Sequence, residues 1–137
     1  PCSLCILQRV AVIVCGSVAL AAALHAPTPQ GMNLYRMLFI LVALIGSAIS
    51  VRHLWLQSLP ADQVPACGPG LDYLLDVFPL TEVLTMVLSG DGSCAEVSWS
   101  FLGLTIPGCT LIAFLVLISI ATFTIKTDAG SETIAEH

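Results

Sequence analysis

Charge is what this sequence lacks. Its 137 residues include four Lys or Arg and nine Asp or Glu, so 9% are charged while 57% are hydrophobic. Soluble domains carry about 25% charged residues. With a mean hydropathy of +0.97, the chain has too few polar groups to cover a water-facing surface, and the bilayer must be its solvent. The cations Arg9, Arg36, Arg52 and Lys126 are scattered. They make no basic patch, which excludes nucleic acid as a partner. No Lys or Arg lies between His53 and Ile125. No internal repeat and no initiator methionine are present. The chain opens directly on a cysteine motif, so an upstream segment is expected to be missing.

What is abundant is long apolar runs. A span needs roughly 17–25 mostly apolar residues. Three stretches qualify, at about 4–24, 34–56 and 107–125. In lipid a helix satisfies its own backbone groups, so the expectation is an all-α membrane protein. The first run has Arg9 inside it and no basic start, unlike a cleaved signal peptide. Pro1 suits a first helical turn. The stretch "HAPTPQG" reads as a tight turn. Tyr35 and Trp55 mark the two ends of the second span, where aromatic belts lie. Residues 127–137, "TDAGSETIAEH", read as a polar, disordered tail.

Between the second and third spans lies a loop at about 57–106. It carries Asp62, Asp72, Asp76, Glu82, Asp91 and Glu96. Cytoplasmic loops normally hold the Lys/Arg excess, so this loop is expected to face outward, with Arg36 and Lys126 on the cytoplasmic side. Within it, "LDYLLDVFPLTEVLTMVL" reads as two short helices broken at Pro79. They either lie in the headgroup plane or pack on protein. "SGDGSC" reads as a flexible turn.

Six cysteines are present: Cys2, Cys5, Cys15, Cys67, Cys94 and Cys109. Cys15 and Cys109 fall inside spans and read as small packing residues. The other four fall on the outer side, where thiols become disulfides. Cys2 and Cys5 form C-x-x-C at a helix start. The partial positive charge there favours a thiolate, and the thiolate is the nucleophile of disulfide exchange. Arg9, four residues beyond Cys5, shares its helix face. Its guanidinium can hold that thiolate and also bind an acceptor oxygen; the plain alternative is a residue that snorkels to the interface. Cys67 and Cys94 read either as a staple, worth ~3.5 kcal/mol, or as a mobile exchange pair. Zinc sites usually use two closely spaced ligand pairs. Only one pair is close here, so no metal site is expected.

"PCSLCILQR", two distant loop cysteines and "SGDGSCAEVSWSFLGLTIPG" together resemble the DsbB family of bacterial disulfide bond formation proteins, from Pro1 to about Lys126. The resemblance implies a four-helix transmembrane bundle in the bacterial inner membrane. Three of its spans are visible here within a domain at 1–126, and the span before the C-x-x-C is absent. It implies an enzyme that reoxidises a DsbA-like periplasmic thiol oxidase and passes the electrons to ubiquinone or menaquinone. DsbA itself is a known strong oxidant, at about −120 mV, so a still stronger acceptor is required. By position, Cys5 would face the quinone and Cys2 would be its exchange partner. Cys67 would form the mixed disulfide with the DsbA-like protein, and Cys94 would relay between the loop pair and Cys2. Arg9 would bind the quinone. His53 matches a position near the quinone; otherwise it is an interface histidine. Gln8 stands where some relatives carry an acid, which affects the local charge. Two other readings use the same cysteines: a membrane protein with structural disulfides and no turnover, or a thiol-based metal binder.

Overall fold

The structure is a computed structural model. It describes residues 2–25, 27–60, 62–64, 66, 68–90, 92–97 and 99–136, the Ser93 side chain excepted. The chain is mostly helical. Three long helices carry the fold: α1 (Ser3–His25), α2 (Pro29–Ser58) and, after the loop, the last helix, Ile106–Ala135. The loop holds α3 (Leu71–Val77), α4 (Leu80–Ser89), the single turn α5 (Gly92–Ala95), β1 (Ser100–Phe101) and β2 (Leu104–Thr105). The last helix is therefore α6. The three long helices are each long and apolar enough to cross a membrane.

The expected spans lie inside these helices, which extend beyond them. Pro29 and Pro107 occupy the first turns of α2 and α6, where a missing N–H costs nothing and the fixed φ is already helical. Part of "HAPTPQG" is thus helix, not turn. Pro79 divides the loop helices as expected, standing just before α4. The tail departs from its reading. Residues 127–135 continue α6 as exposed helix. Asp128 makes an ion pair with Arg36 of α2, and a helix already nucleated needs only one bond per added residue. The all-α expectation also gains an exception. β1 and β2 pair as a small antiparallel hairpin. Leu102 and Gly103 form its two-residue turn at φ 52° and 80°, the left-handed pair that hairpins favour.

Helix α2 lies between α1 and α6, which touch each other little. Midway along, Ala11 and Cys15 of α1, Ala43 of α2 and Phe114 of α6 form one buried cluster. Small residues at such a seam let helix backbones approach closely. Gly46 faces the Phe114 ring, where an added Cβ would collide. Gly46→Leu is therefore expected to lower stability in detergent by about 1–3 kcal/mol, the usual cost of overpacking, seen as a lower unfolding midpoint. An unchanged midpoint would show that this seam is loosely packed. Outward residues such as Ile13, Leu41 and Phe123 are more than half exposed. Only 11% of the apolar window of α6 is buried within the protein, which leaves lipid to cover the rest.

The helices alternate in direction. The start of α1, the end of α2 and the start of α6 meet at one end with the loop. Arg52 helps close that end, donating to the Ser89 carbonyl at 3.2 Å and lying 4.5 Å over the Trp55 ring. Leu7 of α1 packs against the Leu74, Val83 and Val87 cluster of α3 and α4. At the opposite end His25 Nδ1 meets the Tyr35 hydroxyl at 2.8 Å.

Candidate functional site

The end where the loop meets the long helices gathers the reactive side chains. The Cys2 carbonyl accepts from the Ile6 N–H at 3.3 Å, so Cys2 stands at the entrance to α1 and Cys5 on its first turn. Three and four residues on, Gln8 and Arg9 share the helical face of Cys5. From α2 comes His53, only 1% exposed, with Gln57 one turn beyond. The short turn α5 supplies Cys94, fully buried against Leu4, Ile49 and Leu56.

Cys94 is bonded to Cys2 in a disulfide across 92 residues of sequence, with Cα atoms 4.9 Å apart. Of the open readings for Cys94, a staple to Cys67 is therefore not the arrangement present. The reason is tertiary: α5 seats Cys94 in the core beneath the start of α1. Within "SGDGSC", Gly90 takes φ 78° and packs on Leu56. Cys67 lies outside the described residues, as does Asp91.

Cys5 keeps a free thiol. Its Sγ is 4.0 Å from His53 Nδ1, and the Cys2 Sγ is 3.8 Å from His53 Nε2. These are contacts, longer than strong hydrogen bonds. His53 is thus wedged between the two cysteines of the motif; it is not an interface histidine. Gln8, buried at 3% exposure, brings its amide nitrogen 3.3 Å from His53 Nδ1. Sequence reasoning saw Gln8 only as a missing acid. Its i, i+3 spacing from Cys5 was the available signal, but its partner on α2 was not visible. Gln57 was missed as well, although it stands four residues from His53. It accepts from the Thr105 hydroxyl at 2.9 Å, tying the hairpin over the site.

These residues line a cavity of about 290 Å³, formed by Cys2, Cys5, Arg9, His53, Gln57 and Trp99 together with Ile6, Ile106 and Pro107 and with Glu96 at its rim. Ligand pockets begin at about 300 Å³, so the space suits one small planar ring. Its walls are mostly apolar, with one cation and one buried imidazole. Such a site sets a thiol beside a cation and an imidazole. Arg9 is exposed and turned into this cavity.

Cys15 and Cys109 stand apart. Cys15 is buried with Ala11, Ala43 and Phe114, and Cys109 is a half-buried free thiol on α6. Replacing both by serine is expected to leave disulfide exchange within about twofold of the parent, read as partner oxidation by thiol trapping. A loss above tenfold would give one of them a role in the electron path.

Comparison with known proteins agrees with this geometry. The sequence profile of the family described as disulfide bond formation protein DsbB matches residues 1–124. A disulfide bond formation protein B of Nitrosococcus oceani is 65% identical over 117 residues, 85% of this chain and 69% of the relative. One from Hahella chejuensis is 60% identical over 115 residues, 84% of this chain and 70% of its own length. One from Saccharophagus degradans is 52% identical over 121 residues, 88% and 73% of the two chains. A disulfide poised between a helix-start C-x-x-C and a loop cysteine is the chemistry those names describe, and the chain belongs to the DsbB family of disulfide bond formation proteins.

Proposed function

We propose that this chain reoxidises a DsbA-like periplasmic thiol oxidase and delivers the electrons to a membrane quinone, ubiquinone or menaquinone. It does so as part of a four-helix bundle in the bacterial inner membrane, with the cysteine end periplasmic, the loop helices at the headgroups and the 127–137 segment cytoplasmic. The observation that carries this reading is the Cys2–Cys94 disulfide beside a free Cys5.

A dithiol partner brings two electrons and two protons. Its thiolate attacks the loop pair, and Cys67 takes the mixed disulfide. The partner's second thiol resolves it, so the partner leaves oxidised and the loop cysteines are left reduced. Cys94 then attacks Cys2 of a Cys2–Cys5 disulfide. The bond that forms is Cys2–Cys94, and the bond that breaks frees Cys5 as a thiolate. The arrangement in the structure is what that attack would leave. Attack of the Cys67 thiolate on Cys94 then closes the loop disulfide and frees Cys2. Cys2 and Cys5 thus hold the two electrons and re-form their own disulfide when the acceptor takes them. Arg9, one helical turn from Cys5, stabilises the thiolate and binds the acceptor oxygen. His53, held by Gln8, lies within reach to hold or move a proton. A quinone ring fits the size and mixed lining of the cavity, and when bound it supplies a two-electron, two-proton acceptor.

The test is anaerobic. The purified protein is mixed with a reduced DsbA-like partner and a soluble quinone, and quinone absorbance is followed. Bleaching stoichiometric with partner oxidation is expected. Partner oxidation without bleaching would place the acceptor elsewhere. Neither event would favour a structural disulfide.

A further inference from the structure

The ligand atoms of Cys2, Cys5 and His53 lie within 4.8 Å of one another. Cys94 is bonded to the first of them. Sequence spacing argued against a metal because it saw one close cysteine pair and could not see His53, 51 residues from Cys2, arrive between them. While Cys2 and Cys94 share a disulfide, neither is a thiolate and the donor set is incomplete. Reduction changes that.

We propose that two-electron reduction of the Cys2–Cys94 disulfide turns this cluster into a zinc-class metal site, with the thiolates of Cys2, Cys5 and Cys94 and one ring nitrogen of His53 as ligands. A dithiol supplies the electrons and two protons and is itself oxidised to a disulfide. The thiol protons leave to solvent as the metal binds. With Zn–S bonds of about 2.3 Å and a Zn–N bond of about 2.0 Å, a sulfur and a nitrogen on a tetrahedral zinc stand about 3.6 Å apart. The Cys2 Sγ is 3.8 Å from Nε2, whereas the Cys5 Sγ is 4.0 Å from the other ring nitrogen, Nδ1, so Cys5 has to shift toward the ligating one. The imidazole is buried and oriented. If Nε2 ligates, Nδ1 carries the proton and donates it, so the Gln8 amide, whose nitrogen stands 3.3 Å from Nδ1, must turn its oxygen to the ring to act as the acceptor that fixes a metal-bound histidine. Charge also fits. A divalent ion with three thiolates carries a net charge of −1, and Arg9 lines the same cavity. The Glu96 carboxylate opposes that charge and is the one carboxylate among the described residues that line the cavity. Coordination ties up all three sulfurs, so metal arrests disulfide exchange in the reduced state. The site does not depend on the quinone reading, and its test does not use turnover.

The full chain, purified in detergent, is reduced anaerobically with a dithiol, freed of reductant and titrated with Co²⁺. One equivalent is expected to bind with the intense visible bands of tetrahedral cobalt thiolate, and Zn²⁺ should displace it. The disulfide form should give no such bands. His53→Gln and Cys94→Ser should each weaken binding by about tenfold or more, whereas Cys109→Ser should bind as tightly as the parent. Cys5→Ser provides the same reading if His53→Gln does not fold. Absence of the bands in the reduced protein, their full retention in the His53 and Cys94 variants, or their loss in Cys109→Ser would each overturn the proposal.

Discussion

Cys5→Ser is expected to abolish quinone bleaching, by about a thousandfold or more, the scale on which loss of an essential nucleophile is felt. Serine is nearly isosteric with cysteine, so the first turn of α1 and the cavity should stand. What disappears is the thiolate. A hydroxyl does not ionise at neutral pH, nor can it close a disulfide with Cys2. The loop pair of Cys67 and Cys94, which the partner attacks in the proposed exchange, does not involve position 5 and should still form its disulfide. The variant should therefore oxidise a reduced partner once, in a stoichiometric burst, and then stop. Stopped-flow absorbance at excess partner separates the two phases. Bleaching at the parental rate would mean that electrons leave by another sulfur, and Cys5 would lose its assigned role.

Arg9→Gln carries the second large effect. Removing a charged donor aimed at a developing negative charge costs about 10²–10³ in rate. The expected result is a loss of about a hundredfold in kcat/KM for quinone, with the first exchange with the partner within about twofold of the parent. Arg9 is exposed and makes no ion pair among the described residues, so folding should not suffer. Arg9→Lys should recover part of the loss, because a point charge replaces a planar fork. Equal loss of exchange and of quinone use would reduce Arg9 to a structural role.

Much of this site was legible before any coordinates. The C-x-x-C and the arginine four residues later lie on one helix turn, and helical periodicity alone puts Cys5 and Arg9 on a common face. Pro79 had to interrupt the loop helix, because proline lacks the N–H and clashes with the preceding turn. The place of Cys15 deep in the first span made packing the natural reading, and it is buried with Ala11, Ala43 and Phe114. Elsewhere local reasoning fell short. Composition described 127–137 as a disordered tail, yet the helix runs on to Ala135, with an ion pair to Arg36 that no local window contains. The Leu102–Gly103 turn was overlooked because two-residue strands carry almost no periodic signal.

Hydropathy and helical period are sums over neighbours along the chain. They sufficed to determine a membrane solvent and three long apolar helices, with the C-x-x-C pair at the head of the first. Which groups meet across the chain depends on how α2 lies between α1 and α6 and on where α5 tucks its one turn. That packing alone decided that Cys94 bonds to Cys2, that His53 enters between the cysteines and that Gln8 holds it. Contacts separated by 45 to 92 residues leave no trace in local sequence, because their energy exists only once the helices are packed.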